Sequence, residues 1–263
     1  MNDTVFVDTH ERLDVVNEDL KLIQNKNGLT FGTDAYLLAA YMSETHAEIA
    51  VELGGGTGII SLLCATRNRA KQIYCAEIQP EFYELIMRNT GLNSLDGKIL
   101  PLCVDIRNLS PATIGAEADI VFSNPPYMKT ESGKRNQTDE KYIARHEVCG
   151  SIYDFCHAAS RLLKFGGKFF CVWRPDRLSD LMDALRTNRL EPKRMTFVHA
   201  DRATPPSMVL IEAKKGAAPS LIMTRPLMLY SSEACENSTR RPSEDLLTIY
   251  ENCSFSEFFK RKG

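Results

Sequence analysis

The 263-residue chain lacks the patterns that mark membrane-spanning, secreted and metal-binding proteins. No apolar run approaches the roughly 20 residues that cross a bilayer. The N-terminal stretch MNDTVFVDTHERLD has early acidic residues and no apolar signal core. The eight cysteines form no CxxC pair, and several lie in apolar stretches such as IYCAEI, which predicts reduced core residues. We therefore expect a cytoplasmic protein with no bound metal and no membrane partner.

The chain also lacks an excess of charge of either sign. Its 32 Lys and Arg against 34 Asp and Glu give a net charge of −2. Proteins that bind nucleic acid irrespective of its sequence usually carry an excess of basic residues, so this class is disfavoured, although a local basic face is not. With 43% hydrophobic and 25% charged residues, the composition is that of a globular domain. Nothing in it indicates an obligate protein partner.

Short apolar runs alternate with longer amphipathic runs along the middle of the chain, which is typical of an α/β fold. Strands are predicted at 48–54, 72–78, 98–105, 118–124, 166–174, 194–200 and 207–215, and helices from about Thr33 and over 58–68, 80–93, 151–163 and 176–188. Only residues 201 to 206 join the last two strands, so these should pair antiparallel. The prediction is a Rossmann-like, mostly parallel seven-stranded sheet with an antiparallel hairpin at one edge.

The order of these elements divides the chain into three regions. Residues 1–45 form an N-terminal extension whose helix is expected to pack on a cofactor site. Residues 46–216 hold the predicted sheet. Residues 217–263 form a peripheral C-terminal segment, which is expected to belong to the same domain and to end in a short helix. The strongly polar segment 129–147 predicts a loop.

A glycine-rich turn follows the first predicted central strand, in the stretch VELGGGTGII. Gly54, Gly56 and Gly58 permit a tight turn at which a ligand can approach the backbone N–H groups of the following helix. A turn without a ligand and a dinucleotide site are both alternatives for such a stretch taken alone.

Acidic residues lie at or near the ends of three successive predicted strands. Glu52 lies near the end of the first, Glu77 ends the second, and Asp105 ends the third. In this topology Glu77 is placed to accept from ribose hydroxyls, and Asp105 to accept from the amino group of an adenine. Each acid alone is more often a helix cap or turn former. Together with the glycines they resemble the S-adenosylmethionine (AdoMet) site of class I methyltransferases, which implies AdoMet as cofactor.

The stretch SNPPY, at the end of the fourth predicted strand, resembles the [DNS]-P-P-[YFW] motif of methyltransferases that act on amino groups. The amines of adenine, cytosine and glutamine are poor nucleophiles because their lone pairs are delocalised. Hydrogen bonds to the Asn124 side-chain oxygen and the Pro125 carbonyl would localise the lone pair, and Tyr127 would stack on a planar base. Asn124 also borders the predicted cofactor, and Pro126 the substrate. The competing reading is a strand that simply ends at Pro-Pro.

Several further stretches resemble one family, the tRNA1(Val) (adenine-37-N6)-methyltransferases. They are ERLD, FGTDAYLLAAY, ELGGGTGIISLL, EIQPEFYELIMRN, NPPYMK, ARHEV and RPLMLY, spread from about residue 11 to residue 230. The resemblance implies a tRNA substrate that is methylated at N6 of an adenosine beside the anticodon. It also implies that Thr33 and Asp34 lie near the methionine end of AdoMet and that Asn124 to Tyr127 hold the adenine.

Basic residues of the polar segment lie next to this motif in the sequence and are candidates for RNA phosphate contacts. They are Lys129, Lys134, Arg135 and Arg145. A solvated loop is an equal alternative, because acidic residues nearly balance them. A second basic set, Lys193, Arg194 and Arg202, is more in keeping with a solvated face.

Two other functions remain open at this level. The same corner would suit a glutamine N5-methyltransferase acting on a protein such as a release factor. A non-catalytic protein that binds AdoMet or RNA is the third possibility, and the complete Asn-Pro-Pro-Tyr stretch disfavours it.

Overall fold

The computed structural model describes residues 7–26, 32–42, 45–126, 150–234 and 240–259. Its strands are β1 (Glu11–Asn17), β2 (Leu20–Asn25), β3 (Ala47–Leu53), β4 (Ala70–Glu77), β5 (Ile99–Cys103), β6 (Ala118–Ser123), β7 (Leu163–Trp173), β8 (Leu190–His199), β9 (Pro206–Lys215), β10 (Ile222–Met223), β11 (Leu227–Met228), β12 (Tyr230–Ala234) and β13 (Arg240–Pro242). Its helices are α1 (Thr33–Tyr41), α2 (Ile59–Thr66), α3 (Pro80–Leu92), α4 (Pro111–Ile114), α5 (Ile152–Leu162), α6 (Leu178–Thr187) and α7 (Glu244–Asn252), with 3₁₀ turns at Pro175–Arg177 and Glu257–Phe259.

The central sheet has the strand order β5-β4-β3-β6-β7-β9-β8, and the short strands β10 and β11 both pair with β8. Strand β9 runs antiparallel to both of its neighbours, β7 and β8, whereas the other pairings described in this sheet are parallel. The mostly parallel α/β sheet with an antiparallel hairpin at one edge is confirmed. Strands β10 and β11, which were not predicted, add two residues each to the outer side of β8.

Helices cover both faces of this sheet, as the unbroken apolar runs of its inner strands require. Helices α1 and α2 pack in one hydrophobic core, and α5 and α6 in the other. Helix α5 shows how the sequence sets such an element. Ser151 and Asp154 form a capping box at its start, and its buried residues recur with helical spacing at Phe155, Cys156, Ala159 and Leu162. None of the helices described is long and apolar enough to cross a bilayer.

The N-terminal region contains a hairpin that the sequence analysis did not predict. Strands β1 and β2 pair antiparallel, and two asparagine side chains bind the backbone of β2: Asn89 in α3 and Asn93, which caps the end of α3. Asn89 accepts from Ile23 N at 2.7 Å and donates to Ile23 O at 3.0 Å. Asn93, one helical turn later, accepts from Lys21 N at 2.9 Å and donates to Lys21 O at 2.8 Å. The two amides therefore satisfy the edge of β2 as a neighbouring strand would.

The C-terminal residues lie in the same hydrophobic core as α1. Buried apolar side chains supply these contacts: Leu227, Leu246, Ile249, Phe255 and Phe259. The ring of Phe255 packs edge-on against the ring of Tyr41, with centroids 5.4 Å apart. These contacts support the expectation that the C-terminal segment 217–263 belongs to the same domain as the sheet, which we keep as a proposal.

Five of the six described cysteines are buried, as expected for core residues, whereas Cys103 is exposed. Burial raises the pKa of the thiols of Cys64, Cys75 and Cys171, which keeps them protonated and unreactive. Cys149 and Cys235 lie outside the described residues.

Arg194 is buried at the junction of sheet, α1 and C-terminal segment, contrary to the expected solvated face. Its guanidinium pairs with Glu212 at 3.0 Å and lies 3.9 Å from the centre of the Tyr41 ring. It donates to Tyr41 O at 2.7 Å and to Phe259 O at 3.1 Å. Lys193 is buried as well, so of the second basic set only Arg202 is exposed. The expectation was wrong for two residues because strand periodicity alone does not show which polar side chains find buried partners.

Replacing Arg194 with Met should destabilise the fold by about 3 kcal/mol, because Glu212 would be left buried without its closest partner. This loss of stability should be at the low end of the range for broken buried ion pairs, because Lys168 also contacts Glu212 at 3.1 Å. Urea unfolding followed by circular dichroism measures the change. The matched control is Arg202→Met on the exposed turn, which should alter stability by less than about 0.5 kcal/mol. Equal unfolding midpoints for the two variants would contradict the structural role of Arg194.

Candidate active site

The two predicted halves of the site begin side by side at one edge of the sheet. Strands β3 and β6 are parallel neighbours in which Glu52 lies opposite Phe122. One residue further on, the Ser123 hydroxyl donates to Leu53 O at 2.7 Å and joins the two strand ends. The glycine turn therefore follows β3 at the same level at which the Asn-Pro-Pro corner follows β6.

The glycine turn has the backbone geometry expected of a ligand-binding loop. Gly54, Gly56 and Gly58 have positive φ angles of 74°, 55° and 81°, a region that side chains disfavour. The N–H groups of Gly54 and Gly55 donate to Ala76 O at 2.9 and 3.0 Å, which fixes the turn against β4. No atom among those described lies within 4 Å of the position that a Cβ on Gly56 would take. The turn thus exposes bare backbone to an open space.

Glu77, at the end of β4, lies against this turn. One carboxylate oxygen accepts from Gly56 N at 2.9 Å and the other from Gln79 N at 2.9 Å. The side chain is buried, and two backbone hydrogen bonds fix its direction. The predicted contact of Glu77 with ribose hydroxyls requires its carboxylate to lie beside the glycine turn, as it does here. The ribose contact itself stays a prediction.

Asp105 follows β5, at the same edge. Both of its carboxylate oxygens accept from the Arg107 guanidinium, with the shortest contact at 2.5 Å. Hydrogen bonds from the Arg107 side chain lower the pKa of Asp105, so the acid is ionised at neutral pH. Its predicted contact with an adenine amino group stays a prediction. Such a contact would have to share the carboxylate with Arg107.

Glu52 is buried beneath the glycine turn, with 1% of its surface exposed. One of its oxygens accepts from Ser61 N at 3.0 Å, from the Ser61 hydroxyl, and from Cys75 Sγ at 3.5 Å. It therefore joins the first turn of α2 to strand β4. Burial raises its pKa to about 7, against hydrogen bonds that lower it. In the structure Glu52 stabilises the glycine turn from below through its bonds to Ser61 and Cys75. A direct contact between Glu52 and a cofactor stays a prediction.

Asn124 and Asp34 form a direct contact that the sequence analysis did not predict, although it named both residues. Asn124 Nδ2 donates to Asp34 Oδ2 at 2.8 Å. The other amide atom, Asn124 Oδ1, is buried and has no hydrogen-bond partner among the described residues. Pro125 is buried beside it, and Pro126 is exposed. A buried acceptor without a partner is rare in folded proteins and calls for an explanation, of which a catalytic role is one.

The start of α1 is held by the C-terminal helix α7. The Thr33 hydroxyl lies 2.9 Å from the Tyr250 hydroxyl, and the Tyr36 and Tyr250 rings pack edge-on with centroids 5.0 Å apart. Thr33 and Tyr250 are 217 positions apart in the chain. The contact of Tyr250 with Thr33 was not predicted, because no local sequence signal connects the two helices.

Five predicted site residues fall outside the described residues, and their assignments stay predictions. They are Tyr127, Lys129, Lys134, Arg135 and Arg145. Within the described ranges, no three His, Cys, Asp or Glu side chains are grouped in a way that could hold a metal ion.

Comparison with known proteins identifies the family and the fold of the chain. Residues 38–132, which run from α1 past the Asn-Pro-Pro corner, match the TRM5/TYW2 methyltransferase domain. The tRNA1(Val) (adenine(37)-N6)-methyltransferase of Porphyromonas gingivalis is 31% identical over 173 residues, which cover 64% of this chain and 67% of that protein. The chain belongs to this methyltransferase family. The protein of the same name from Bacteroides fragilis is 28% identical over 174 residues, covering 66% of this chain and 72% of the relative.

Solved structures of methyltransferases share the fold of this family member. A predicted O-methyltransferase from Agrobacterium tumefaciens has a TM-score of 0.66 and 20% identity, and the match covers 85% of this chain and 98% of that one. TYW2 from M. jannaschii, solved in complex with AdoMet, has a TM-score of 0.53 and 16% identity, with 80% and 87% covered. At 20% identity or less, such a likeness shows the fold and nothing more, and the fold is that of the class I methyltransferases.

Replacing Glu52 with Gln should remove a pH dependence of stability. Burial raises the pKa of this carboxyl from its ordinary value of 4.5 to about 7 in the folded protein. Between these values the folded state holds more protons, so the wild type loses stability as pH rises. The variant should therefore gain on the wild type with rising pH, by at most about 1.4 kcal/mol per pH unit. Urea unfolding of both proteins at about pH 5 and about pH 7 measures this difference. Parallel pH profiles would show that burial does not perturb Glu52.

Proposed function

We propose that this family member transfers a methyl group from AdoMet to N6 of an adenosine next to the tRNA anticodon, position 37 of tRNA Val. Family membership supports the reaction and the substrate. The observation in the structure that carries the proposal is the buried Oδ1 of Asn124, an acceptor without a described partner at the sheet edge that bears the glycine turn. The cytoplasm is the proposed location.

The residues at this edge fit AdoMet. The open space over Gly56 admits a ligand to bare backbone, and the fixed Glu77 carboxylate beside it is an acceptor suited to ribose hydroxyls. When bound, AdoMet supplies a methyl group on a positively charged sulfur, which makes the methyl carbon electrophilic. The chain's task is then to bring an amine nitrogen in line with that carbon and to make it nucleophilic.

Asn124 and Pro125 meet the second requirement. The adenine amine is nearly planar because its lone pair is shared with the ring. Hydrogen bonds from its two N–H groups to Asn124 Oδ1 and to the Pro125 carbonyl favour a tetrahedral nitrogen with a localised lone pair. With AdoMet bound, such a nitrogen would be able to accept the methyl group from the sulfonium sulfur, and one of its protons would be released to water. The acceptors act through their fixed direction, which the proline rings impose on the backbone.

A glutamine amide offers the same pair of N–H groups, so the corner alone does not select adenine. Purified protein incubated with labelled AdoMet and tRNA from a strain lacking the enzyme should place the label in N6-methyladenosine, as identified by nucleoside chromatography. A parallel incubation replaces the tRNA with release factors. Label in protein and none in tRNA would overturn the proposed substrate.

Replacing Asn124 with Ala should lower the rate of methyl transfer by about 100-fold or more, as is typical when a fixed hydrogen-bonding group at the reacting centre is removed. AdoMet affinity, measured by calorimetry, should change by less than about twofold, since the side chain acts on the amine. A parallel collapse of AdoMet affinity would show instead that Asn124 acts mainly in cofactor binding.

We further propose that Lys134 and Arg135 contact tRNA phosphates near the target base. Replacing both with Ala should weaken tRNA binding and reduce the slope of log affinity against log salt by about 0.7 to 0.9 per lost contact. Fluorescence anisotropy over a salt series measures this slope. The matched control replaces Lys71 and Lys98 with Ala. Lys71 lies at the start of β4 and Lys98 just before β5, at the amino ends of the parallel strands and so on the far side from the proposed site. Both line a pocket of 710 Å³. Equal slopes for the two double variants would exclude the proposed contacts.

A further inference from the structure

The amide of Asn124 can perform its proposed task in only one of its two orientations. An asparagine side chain carries an acceptor oxygen on one side and an NH₂ donor on the other. Rotating the amide by half a turn exchanges these atoms with almost no change in shape. In one orientation the substrate amine meets an acceptor. In the other it meets a second donor, which repels its N–H groups.

We propose that Asp34 is the positioning residue that fixes Asn124 in the productive orientation. This inference rests on the proposed function, because it concerns how the acceptor for the amine is held. An ionised carboxylate only accepts hydrogen bonds, so it admits the NH₂ of Asn124 and repels its oxygen. The observed contact, Nδ2 to Asp34 Oδ2 at 2.8 Å, has the length of a good hydrogen bond and leaves Oδ1 free.

Asp34 is itself held in place on two sides. Its other oxygen, Oδ1, accepts from Ala35 N at 2.9 Å at the start of α1. A carboxylate is stabilised at this end of a helix by the free backbone N–H groups and the helix dipole. The helix behind it is immobilised, since Leu37 and Leu38 are completely buried and Thr33 contacts Tyr250. The carboxylate therefore presents one fixed lone-pair direction to Asn124.

The negative charge also strengthens the acceptor that it orients. A hydrogen bond from Nδ2 to a charged acceptor is stronger than one to a neutral group. It polarises the amide and places more negative charge on Oδ1, as in other chains of hydrogen bonds. Asp34 thus acts on the amine through Asn124, without touching the amine. This differs from a role as a direct contact for the methionine end of AdoMet.

An exchange of the two side chains tests the inference. Asp34→Asn leaves the amide orientation unfixed. Asn124→Asp places a second carboxylate against Asp34, and like charges at this distance repel. The double variant combines Asp34→Asn with Asn124→Asp. The new amide at position 34 can donate a hydrogen bond to the new carboxylate at position 124, whose other oxygen then faces the amine. Each single variant should lower kcat by about 10- to 100-fold, and the double variant should recover most of that loss.

The kinetic pattern separates positioning from other roles. The KM for tRNA and the dissociation constant for AdoMet should stay within about twofold of the wild-type values in all three variants. Asp34→Ala should lower kcat as much as Asp34→Asn does. This variant shows whether the fall in kcat depends on the amide that Asn introduces at position 34. The matched control is Asp183→Asn, the same replacement on the exposed face of α6, where Asp183 accepts only a Tyr153 hydroxyl among the described contacts. It should leave every constant unchanged.

Three results would overturn the inference. They are full activity of Asp34→Asn, no recovery in the double variant while AdoMet still binds, or a loss of AdoMet affinity in Asp34→Ala that parallels the loss of rate. All comparisons are ratios to the wild type on whichever amine substrate it methylates. A wild type that methylates protein and not tRNA would therefore refute the proposed substrate and leave this test of Asp34 intact.

Discussion

The parallel register of β3 and β6 is the constraint on which the rest of the site depends. Parallel neighbours end at the same edge of a sheet, so whatever follows each strand meets there. In this chain Glu52 lies opposite Phe122, and the Ser123 hydroxyl joins the last residues of the two strands. A shift by one residue would turn every side chain of one strand to the opposite face. The glycine turn and the Asn-Pro-Pro corner would then no longer meet.

Those parts of the molecule that local sequence encodes were predicted. Apolar periodicity gave the central strands and helices to within a few residues, including the start of α1 at Thr33. The six-residue connection before β9 gave the antiparallel hairpin. The two motifs were placed correctly because each follows a strand directly, and a parallel sheet brings such ends together. The family resemblance agreed with the family to which the chain belongs.

The features that were missed depend on single polar contacts between distant parts of the chain. Asn89 and Asn93 bind β2 across more than 60 positions, at separations of 66 and 72 residues. Arg194 reaches Phe259 and Tyr250 reaches Thr33 over 65 and 217 positions. The spacing of apolar residues in a helix or strand predicts which of its faces is buried. It does not predict which polar atom will form a hydrogen bond with another element. Such pairs are fixed only when the elements have packed.

The pairing of Asp34 with Asn124 shows why the first residue of an Asn-Pro-Pro motif depends on its surroundings. A carboxylate at that position would offer acceptors in either orientation and would need no partner to orient it. An amide does need one, because half of its hydrogen-bonding surface has the wrong sign for an amine. The Asp34 carboxylate, 2.8 Å away, supplies the missing direction and would repel a second carboxylate. Residues 34 and 124 therefore constrain one another. Helix α1, which carries Asp34, is therefore as much a part of the proposed amine-binding corner as strand β6, which Asn124 follows.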